Sequence, residues 1–238
     1  MINKEKVKAL AFDFGGTLDS PFMHWMQIYL QLYTTKLNLP LTVENFRDSY
    51  VFAEQMMERL QLVKPTHSLL ETQMFKTRLQ FDNLLDRGIL LDTKDNKERI
   101  PEEAARLVTD YSSAYVIRSQ KTLKALSQRY TLLLVSNYYG NLKKVATDLG
   151  IATYFSSFTD STLEGVRKPD ATLWKLAIER AGFIPEEVIV IGDSMKNDIL
   201  PALSLGCQVI KGCPSIGDLS EEVNCITSLE ELLQLLDS

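Results

Sequence analysis

The sequence has few of the features that mark secreted, zinc-binding or membrane proteins. Its three cysteines, Cys207, Cys213 and Cys225, show no CxxC spacing, and 2 histidines accompany them, so we expect no disulfide framework and no zinc site. No run of about 18 apolar residues is present, which argues against a membrane span. The first residues lack the apolar stretch of a signal peptide. Together these absences predict a cytoplasmic protein.

Positive charge is also scarce. The chain carries 26 lysines and arginines against 31 aspartates and glutamates, which gives a net charge of −5. A surface that binds the nucleic-acid backbone needs clustered positive charge, so we expect no nucleic-acid partner. Hydrophobic residues at 45% and charged residues at 24% are typical of a folded chain. A length of 238 residues fits one domain, or one core domain with a large insertion.

The spacing of apolar residues divides the chain into segments that predict strands and a long segment that predicts helices. An apolar run from Val7 to Phe14 ends at Gly15 and Gly16 and predicts a buried strand. From about residue 21 to residue 115, apolar residues recur at helical spacing and strand patterns are almost absent. After residue 120, short apolar runs alternate with helical segments that end at glycines. The strands predicted there are Tyr130–Ser136, Phe155–Thr159, Val188–Ile191 and Gln208–Ile210.

This alternation predicts the fold class. Strands separated by helices form a parallel sheet through right-handed crossovers, with helices on both faces. We therefore predict an α/β fold with a Rossmann-like, doubly wound parallel sheet as its core and an inserted all-helical domain. The predicted core comprises residues 1–20 and 116–238, and the helical insertion comprises residues 21–115.

Polar residues end the predicted strands. Asp13 follows the first strand, Ser136–Asn137 the second and Asp193 a later one. Lys168 lies in a loop, and Asp198, five residues after Asp193, begins a predicted helix that ends at Leu205. In doubly wound sheets, ligands bind at the carboxyl ends of the strands, so these side chains should converge. Carboxylates held together repel unless a cation bridges them, and Mg²⁺ prefers oxygen ligands. A carboxylate beside such an ion can attack a phosphoryl group.

Four ordered motifs resemble those of the haloacid dehalogenase-like hydrolases. They are Asp13-Phe-Gly-Gly-Thr17, Leu-Val-Ser136-Asn137, Gly165-Val-Arg-Lys168-Pro-Asp and Ile-Gly192-Asp193-Ser-Met-Lys-Asn-Asp198. The helical insertion also occupies the position of that superfamily's first-type cap. The resemblance covers essentially the whole chain. It implies hydrolysis of a small phosphorylated metabolite, with Mg²⁺ as the cofactor.

The resemblance further implies how the metal would be held. Asp13 would be both the nucleophile and a metal ligand, and the backbone carbonyl of Gly15 would be a second ligand. Asp193 would complete the protein ligands. Asp198 would support them from behind the metal.

It implies roles in phosphoryl binding as well. Thr17 would close the turn of the first motif. Ser136, together with backbone amides near Asn137, would hold the phosphoryl group. Lys168 would stabilise both the Asp13 carboxylate and the group in transfer.

Gly15 departs from the pattern of the superfamily's phosphatases. They usually carry a second Asp at this position, which protonates the leaving group and later activates water. General acid–base catalysis is worth about 10²–10⁴-fold, so we expect low activity on unactivated alkyl phosphates. Asp19 is a possible replacement acid, although we favour a solvated or hinge position for it.

Three alternatives to phosphatase activity stay open. The superfamily's 2-haloacid dehalogenases do without the acid, but they also lack the first acid of the last motif, which Asp193 provides here. Its phosphonoacetaldehyde hydrolases form a Schiff base with a cap lysine, and Lys36, Lys64 and Lys76 lie in the predicted cap. The third alternative is a catalytically weak binding or interaction module on the same fold.

Overall fold

The chain folds into two compact units. The computed structural model describes residues 2–215 and 223–237. One unit joins the segment up to Met23 with the segment from Ser113 onward, and the other consists of residues 24–112. The sequence predicted breaks after residues 20 and 115. No helix among the described residues is both long and apolar enough to cross a bilayer.

A parallel sheet is the centre of the first unit. Its strands are Ala9–Phe12 (β1), Thr131–Ser136 (β2), Ser157–Asp160 (β3), Val188–Gly192 (β4), Gln208–Gly212 (β5) and Asn224–Ile226 (β6). They form one six-stranded sheet in the order β3-β2-β1-β4-β5-β6, with parallel pairing between all neighbours. The predicted α/β fold class with a parallel sheet is confirmed.

Strand β1 lies inside the sheet, where the strand order reverses. Ala9–Phe12 pairs with Thr131–Leu134 of β2 on one side and with Val188–Ile191 of β4 on the other. All four residues of β1 are fully buried, as expected for a strand of a sheet with helices on both faces. The chain passes from β1 outward to β3 and then returns to β4, so the reversal lies between β1 and β4. The carboxyl ends of these strands are where this fold binds ligands.

Four helices form the second unit. Two of them begin with capping boxes, in which Thr42 pairs with Asn45 and Ser68 pairs with Glu71. The predicted all-helical character of this segment is confirmed. The last helix continues past Ser112 into the first unit. The helices are Trp25–Thr35 (α1), Val43–Leu60 (α2), Leu69–Asp86 (α3) and Ile100–Ser127 (α4).

The interior of the helical unit contains a buried cation. Lys76 of α3 pairs with Glu54 of α2, and the Lys76 ammonium lies 5.3 Å and 5.5 Å from the ring centroids of Tyr29 and Tyr50. The ion pair and the electron-rich ring faces offset the cost of removing the ammonium from water.

Short helices follow the later strands of the first unit. The helix predicted from Asp198 begins earlier, as a π-helical turn over Met195–Ile199. Strand β6 was not predicted, because three residues carry too little periodicity. The helices of this part are Leu142–Asp148 (α5), Ser161–Glu164 (α6), Thr172–Arg180 (α7), Leu200–Leu205 (α8) and Glu231–Asp237 (α9).

Candidate active site at the carboxyl edge of the sheet

Asp13 lies directly after β1, with its carboxylate buried at the carboxyl edge of the sheet. Its backbone N–H donates to the carbonyl oxygen of Ile191 at 2.9 Å, which fixes the loop to β4. The Ser136 hydroxyl at the end of β2 lies 3.2 Å from Asp13 Oδ1, and the Thr17 hydroxyl lies 3.1 Å from Oδ2. A side chain at the end of β2 and one from the loop after β1 therefore contact the two carboxylate oxygens.

Lys168 connects two acids of the site. Its Nζ donates to Asp13 Oδ1 at 2.6 Å, to Asp198 Oδ1 at 2.7 Å and to the carbonyl oxygen of Val135 at 3.2 Å, so each ammonium proton has an acceptor. Burial alone would lower the pKa of Lys168, but the carboxylates of Asp13 and Asp198 outweigh it and raise the pKa. Lys168 therefore stays charged at neutral pH.

Thr17 connects the loop after β1 to the loop after β4. Its hydroxyl accepts the backbone N–H of Asp193 at 3.2 Å and lies 3.3 Å from Asp193 Oδ1. The single hydroxyl proton is donated either to this oxygen or to Asp13 Oδ2. Thr17 therefore fixes Asp13 and Asp193 next to one another, beyond closing its own turn.

Two glycines leave room for the side chains of Asp193 and Asp198. A Cβ on Gly16, which has a φ of +93°, would lie 2.8 Å from Asp193 Oδ1. A Cβ on Gly192 would lie 2.5 Å from the Asp198 side chain. Both distances are too short for a side chain, so each glycine allows a carboxylate to pack against the backbone.

The acid cluster has the chemistry of a divalent metal site. Carboxylate oxygens of Asp13, Asp193 and Asp198 lie within 4.8 Å of one another. Three carboxylates against the one ammonium of Lys168 leave two excess negative charges when all are ionised. The cluster therefore fits Mg²⁺ in both charge and ligand type. Lys168 and the backbone N–H of Ser194 bind the two oxygens of Asp198.

Burial and the nearby carboxylates raise the pKa values of Asp193 and Asp198. Burial, followed by the charges of Asp13 and Asp198, raises the pKa of Asp193 to about 7. Burial also raises the pKa of Asp198 to about 6, with Asp13 adding to the effect and Lys168 opposing it. A bound cation would favour the ionised form of both acids.

Asn137 contacts the backbone of Lys168. Its Oδ1 accepts the Lys168 N–H at 2.8 Å, and its Nδ2 donates to the Lys168 carbonyl oxygen at 2.9 Å. The nearby amide of Tyr138 donates to Ser161 Oγ at 3.1 Å. The Asn137 side chain therefore holds the backbone of Lys168 in place, a contact that the motif alone did not indicate.

Asp19 is buried, so of the two positions predicted for it, solvated or at a hinge, the solvated one is wrong. The residue is 3% exposed, and its Oδ1 accepts the backbone N–H of Gly16 at 2.7 Å. The glycine-rich turn places Asp19 back against its own loop. The periodicity of the sequence did not indicate this contact between Asp19 and the Gly16 amide.

Asp160, the last residue of β3, was missed in the sequence. Its Oδ2 accepts the amides of Gly140 at 2.9 Å and Leu142 at 3.1 Å, and its Oδ1 accepts the amide of Thr162 at 3.0 Å. Burial raises the pKa of Asp160, and the hydrogen bonds from backbone amides oppose this rise. The signal was present, because Asp160 directly follows a predicted strand at the same edge of the sheet.

The three lysines considered for a Schiff base, Lys36, Lys64 and Lys76, lack the features of such a residue. Lys36 and Lys64 are exposed. Burial would lower the pKa of Lys76, but Glu54 and the Tyr29 and Tyr50 hydroxyls outweigh it and raise the pKa. Schiff-base formation needs a neutral amine, so this environment opposes it.

The sequence matches a protein family and parts of curated relatives. Residues 7–206 match the haloacid dehalogenase-like hydrolase family. A 145-residue segment is 28% identical to haloacid dehalogenase-like hydrolase domain-containing protein 3 of Mus musculus and covers 56% of this chain and 58% of that protein. A 92-residue segment is 32% identical to glyceraldehyde 3-phosphate phosphatase of Methanocaldococcus jannaschii and covers 37% of this chain and 40% of that enzyme. The chain thus spans less than two thirds of either relative.

A solved structure shows the same fold. The HAD-hydrolase YfnB of Bacillus subtilis, solved with bound magnesium, superposes with a TM-score of 0.61 at 20% identity. The superposition covers 98% of this chain and 99% of that one. At this identity the likeness shows the fold alone.

Proposed function

The chain belongs to the haloacid dehalogenase-like hydrolases, and we propose that it is a Mg²⁺-dependent phosphohydrolase that acts on a small phosphorylated metabolite through Asp13. One observation carries the proposal. The Asp13 carboxylate is held 2.6 Å from the Lys168 ammonium and within 4.8 Å of carboxylate oxygens of Asp193 and Asp198. This arrangement supports a nucleophile at Asp13 beside the positive charge of Lys168 and a group of acids that fits a divalent metal.

The reaction would proceed in two steps. An oxygen of Asp13 would attack phosphorus, which breaks the bond between phosphorus and the ester oxygen and forms an aspartyl-phosphate. Water would then hydrolyse this intermediate, which releases phosphate and restores Asp13. The Ser136 hydroxyl would bind the phosphoryl oxygens, and the positive charge of Lys168 would stabilise the negative charge that moves among them.

Asp13, Asp193 and the Gly15 carbonyl would hold Mg²⁺, with Asp198 supporting them through Lys168 and the Ser194 amide. When bound, the ion supplies positive charge that neutralises the phosphoryl oxygens and orients the group toward Asp13.

The leaving group would receive no proton from residue 15. Gly15 has no side chain, so the departing oxygen must leave as an anion or take its proton from water or from the substrate itself. Esters with acidic leaving groups should therefore react faster than alkyl esters. The Methanocaldococcus relative, a phosphatase named for a three-carbon phosphate, supports a small phosphorylated metabolite as the substrate class.

The structure offers less support for the other enzyme activities. The retained acid cluster argues against dehalogenation, and the protonated, paired Lys76 argues against a Schiff base in carbon–phosphorus cleavage. Gly15 does favour a second candidate function, which is a weakly catalytic module that binds a phosphorylated ligand. We further propose that the helical unit serves as the cap that selects the substrate, and that the protein acts in the cytoplasm.

Phosphate release from a panel of phosphate esters tests the proposal. Each ester is assayed with Mg²⁺ and then with a chelator, and the Asp13→Asn protein is the blank for contaminating phosphatase. We expect metal-dependent release above that blank. Equal release by the Asp13→Asn protein would refute the mechanism, whereas ligand binding without any turnover would favour the binding module.

A further inference from the structure

The turn after β1 contains a buried carboxylate to which the proposed mechanism gives no role. Asp19 is 3% exposed, and its Oδ1 accepts the Gly16 N–H at 2.7 Å. We infer that Asp19 is a positioning residue, which fixes the Gly15–Gly16 peptide and thereby orients the Gly15 carbonyl toward the metal. This inference rests on the proposed function, because it concerns the metal site named there.

Peptide geometry connects Asp19 to that carbonyl. A trans peptide is planar, and its C=O and N–H bonds point in opposite directions. A carboxylate that binds the Gly16 N–H on one side therefore directs the Gly15 oxygen to the other side. A single acceptor is enough to set the rotation of this peptide plane.

The Gly16 backbone borders the acid cluster. A Cβ on Gly16 would lie 2.8 Å from Asp193 Oδ1, so the Gly16 backbone packs directly against a proposed metal ligand. Gly16 has a φ of +93° and neither glycine has a side chain, so the pair has unusual freedom of rotation. An external anchor is needed to hold one orientation, and Asp19 supplies it.

The charge of Asp19 should matter as well as its hydrogen bond. A carboxylate acceptor makes a stronger bond than a neutral oxygen, and it polarises the amide so that the carbonyl on the other side becomes a better ligand. Asp19→Asn keeps an oxygen acceptor without the charge, and Asp19→Ala removes both. The two variants therefore separate orientation from polarisation.

Calorimetric titration with Mg²⁺, without substrate, tests this assignment. We expect Asp19→Ala to weaken Mg²⁺ binding by about 10–100-fold, the usual effect of removing a group that orients a metal ligand. Asp19→Asn should show a smaller loss. Asp160→Asn is the matched control, because Asp160 is also a buried acid that accepts loop amides but does not contact the Gly15–Gly16 peptide. Its Mg²⁺ affinity should remain within about twofold of the wild type.

The outcomes distinguish this inference from the proposed function. If the wild type binds no divalent cation, the proposed metal site fails and the inference fails with it. If the wild type binds Mg²⁺ and both Asp19 variants bind it equally well, even with lower melting temperatures, Asp19 is purely structural and the inference alone is overturned. Should Asp19→Ala fail to fold, Asp19→Asn decides the question: weaker Mg²⁺ binding than in Asp160→Asn supports the inference, and affinity within about twofold of the wild type overturns it.

Discussion

At the scale of single residues, Gly15 has the clearest chemical consequence. Restoring an acid there should supply the missing proton donor. We expect Gly15→Asp to raise kcat on an alkyl phosphate by about 10²-fold or more. Turnover of 4-nitrophenyl phosphate should change much less, because nitrophenolate leaves without a proton. Steady-state kinetics on both esters measure the difference.

Gly15→Asn provides the matched control for this prediction. Asparagine has the size of aspartate but supplies no carboxyl proton. An equal gain from both variants would show that packing at residue 15 is responsible. Equal alkyl phosphatase activity in the wild type and in Gly15→Asp would show that the protein already has an acid from another source.

The second prediction concerns Asn137, which holds the backbone of Lys168 in place. Because its side chain binds both the N–H and the carbonyl oxygen of Lys168, Asn137→Ala should let the ammonium move from Asp13. A displacement of about 1 Å can cost roughly 10²-fold in rate, so we expect kcat to fall about 10–100-fold with little change in the fold.

The control is Asn45→Ala, which removes comparable contacts to the backbone in the helical unit. It should leave kcat unchanged. Wild-type kcat in Asn137→Ala would mean that the contacts with Asp13 and Asp198 are sufficient to hold Lys168 in place.

The sequence predicted which side chains lie at the site more reliably than it predicted which groups they contact. Asp13, Ser136 and Asp193 were predicted because polar residues at the ends of parallel strands meet at one edge. The partner of Asn137 was not predictable, because it lies 31 residues away and depends on how two loops meet. The burial of Asp19 was also missed, since it results from the turn at Gly16 and not from any periodicity.

At the scale of elements, Asp160 joins the end of β3 to the loop before α5. Its two oxygens accept the backbone amides of Gly140, Leu142 and Thr162, and asparagine has only one acceptor oxygen to replace them. We therefore expect Asp160→Asn to lower the free energy of unfolding by about 1–3 kcal/mol, the cost of leaving buried polar groups unpaired. Denaturant unfolding measures this loss.

Asp170→Asn is the comparison variant. Asp170 also accepts a backbone amide, that of Thr172 at 2.8 Å, but it is exposed, so water can replace the lost contact. Its cost should stay below about 1 kcal/mol. Equal losses in the two variants would contradict the argument that burial makes the Asp160 contacts costly to remove.

Elements were predictable where the sequence repeats a pattern over enough residues. The runs that form β1, β2 and β4 are apolar because these strands are buried. Their apolar sequences were therefore sufficient to predict them. Strand β6 has three residues and no such run. The polar interior of α3 was likewise missed, because Lys76 resembles a surface lysine until Glu54 and the tyrosines are placed around it.

At the scale of the whole molecule, the acid cluster links stability to pH. The pKa of Asp193 is raised to about 7 and that of Asp198 to about 6, chiefly by burial, and the charges of Asp13 and Lys168 also act on both. In the unfolded chain these acids have a pKa of about 3.9. The folded, metal-free protein therefore holds more protons between about pH 4 and pH 7, and its stability falls as the pH rises through this range.

The last prediction follows from this linkage. With a chelator present, the free energy of unfolding should be lower at pH 8 than at pH 6 by roughly 1–2 kcal/mol from these two acids. Saturating Mg²⁺ should reverse the loss, because a ligand at 100 times its Kd adds about 2.7 kcal/mol. Asp193→Asn is the control and should show a smaller pH effect and little stabilisation by Mg²⁺. A wild-type protein whose metal-free stability matches this variant at both pH values would show that Asp193 is ionised throughout, so the site would not need a cation to hold its acids together.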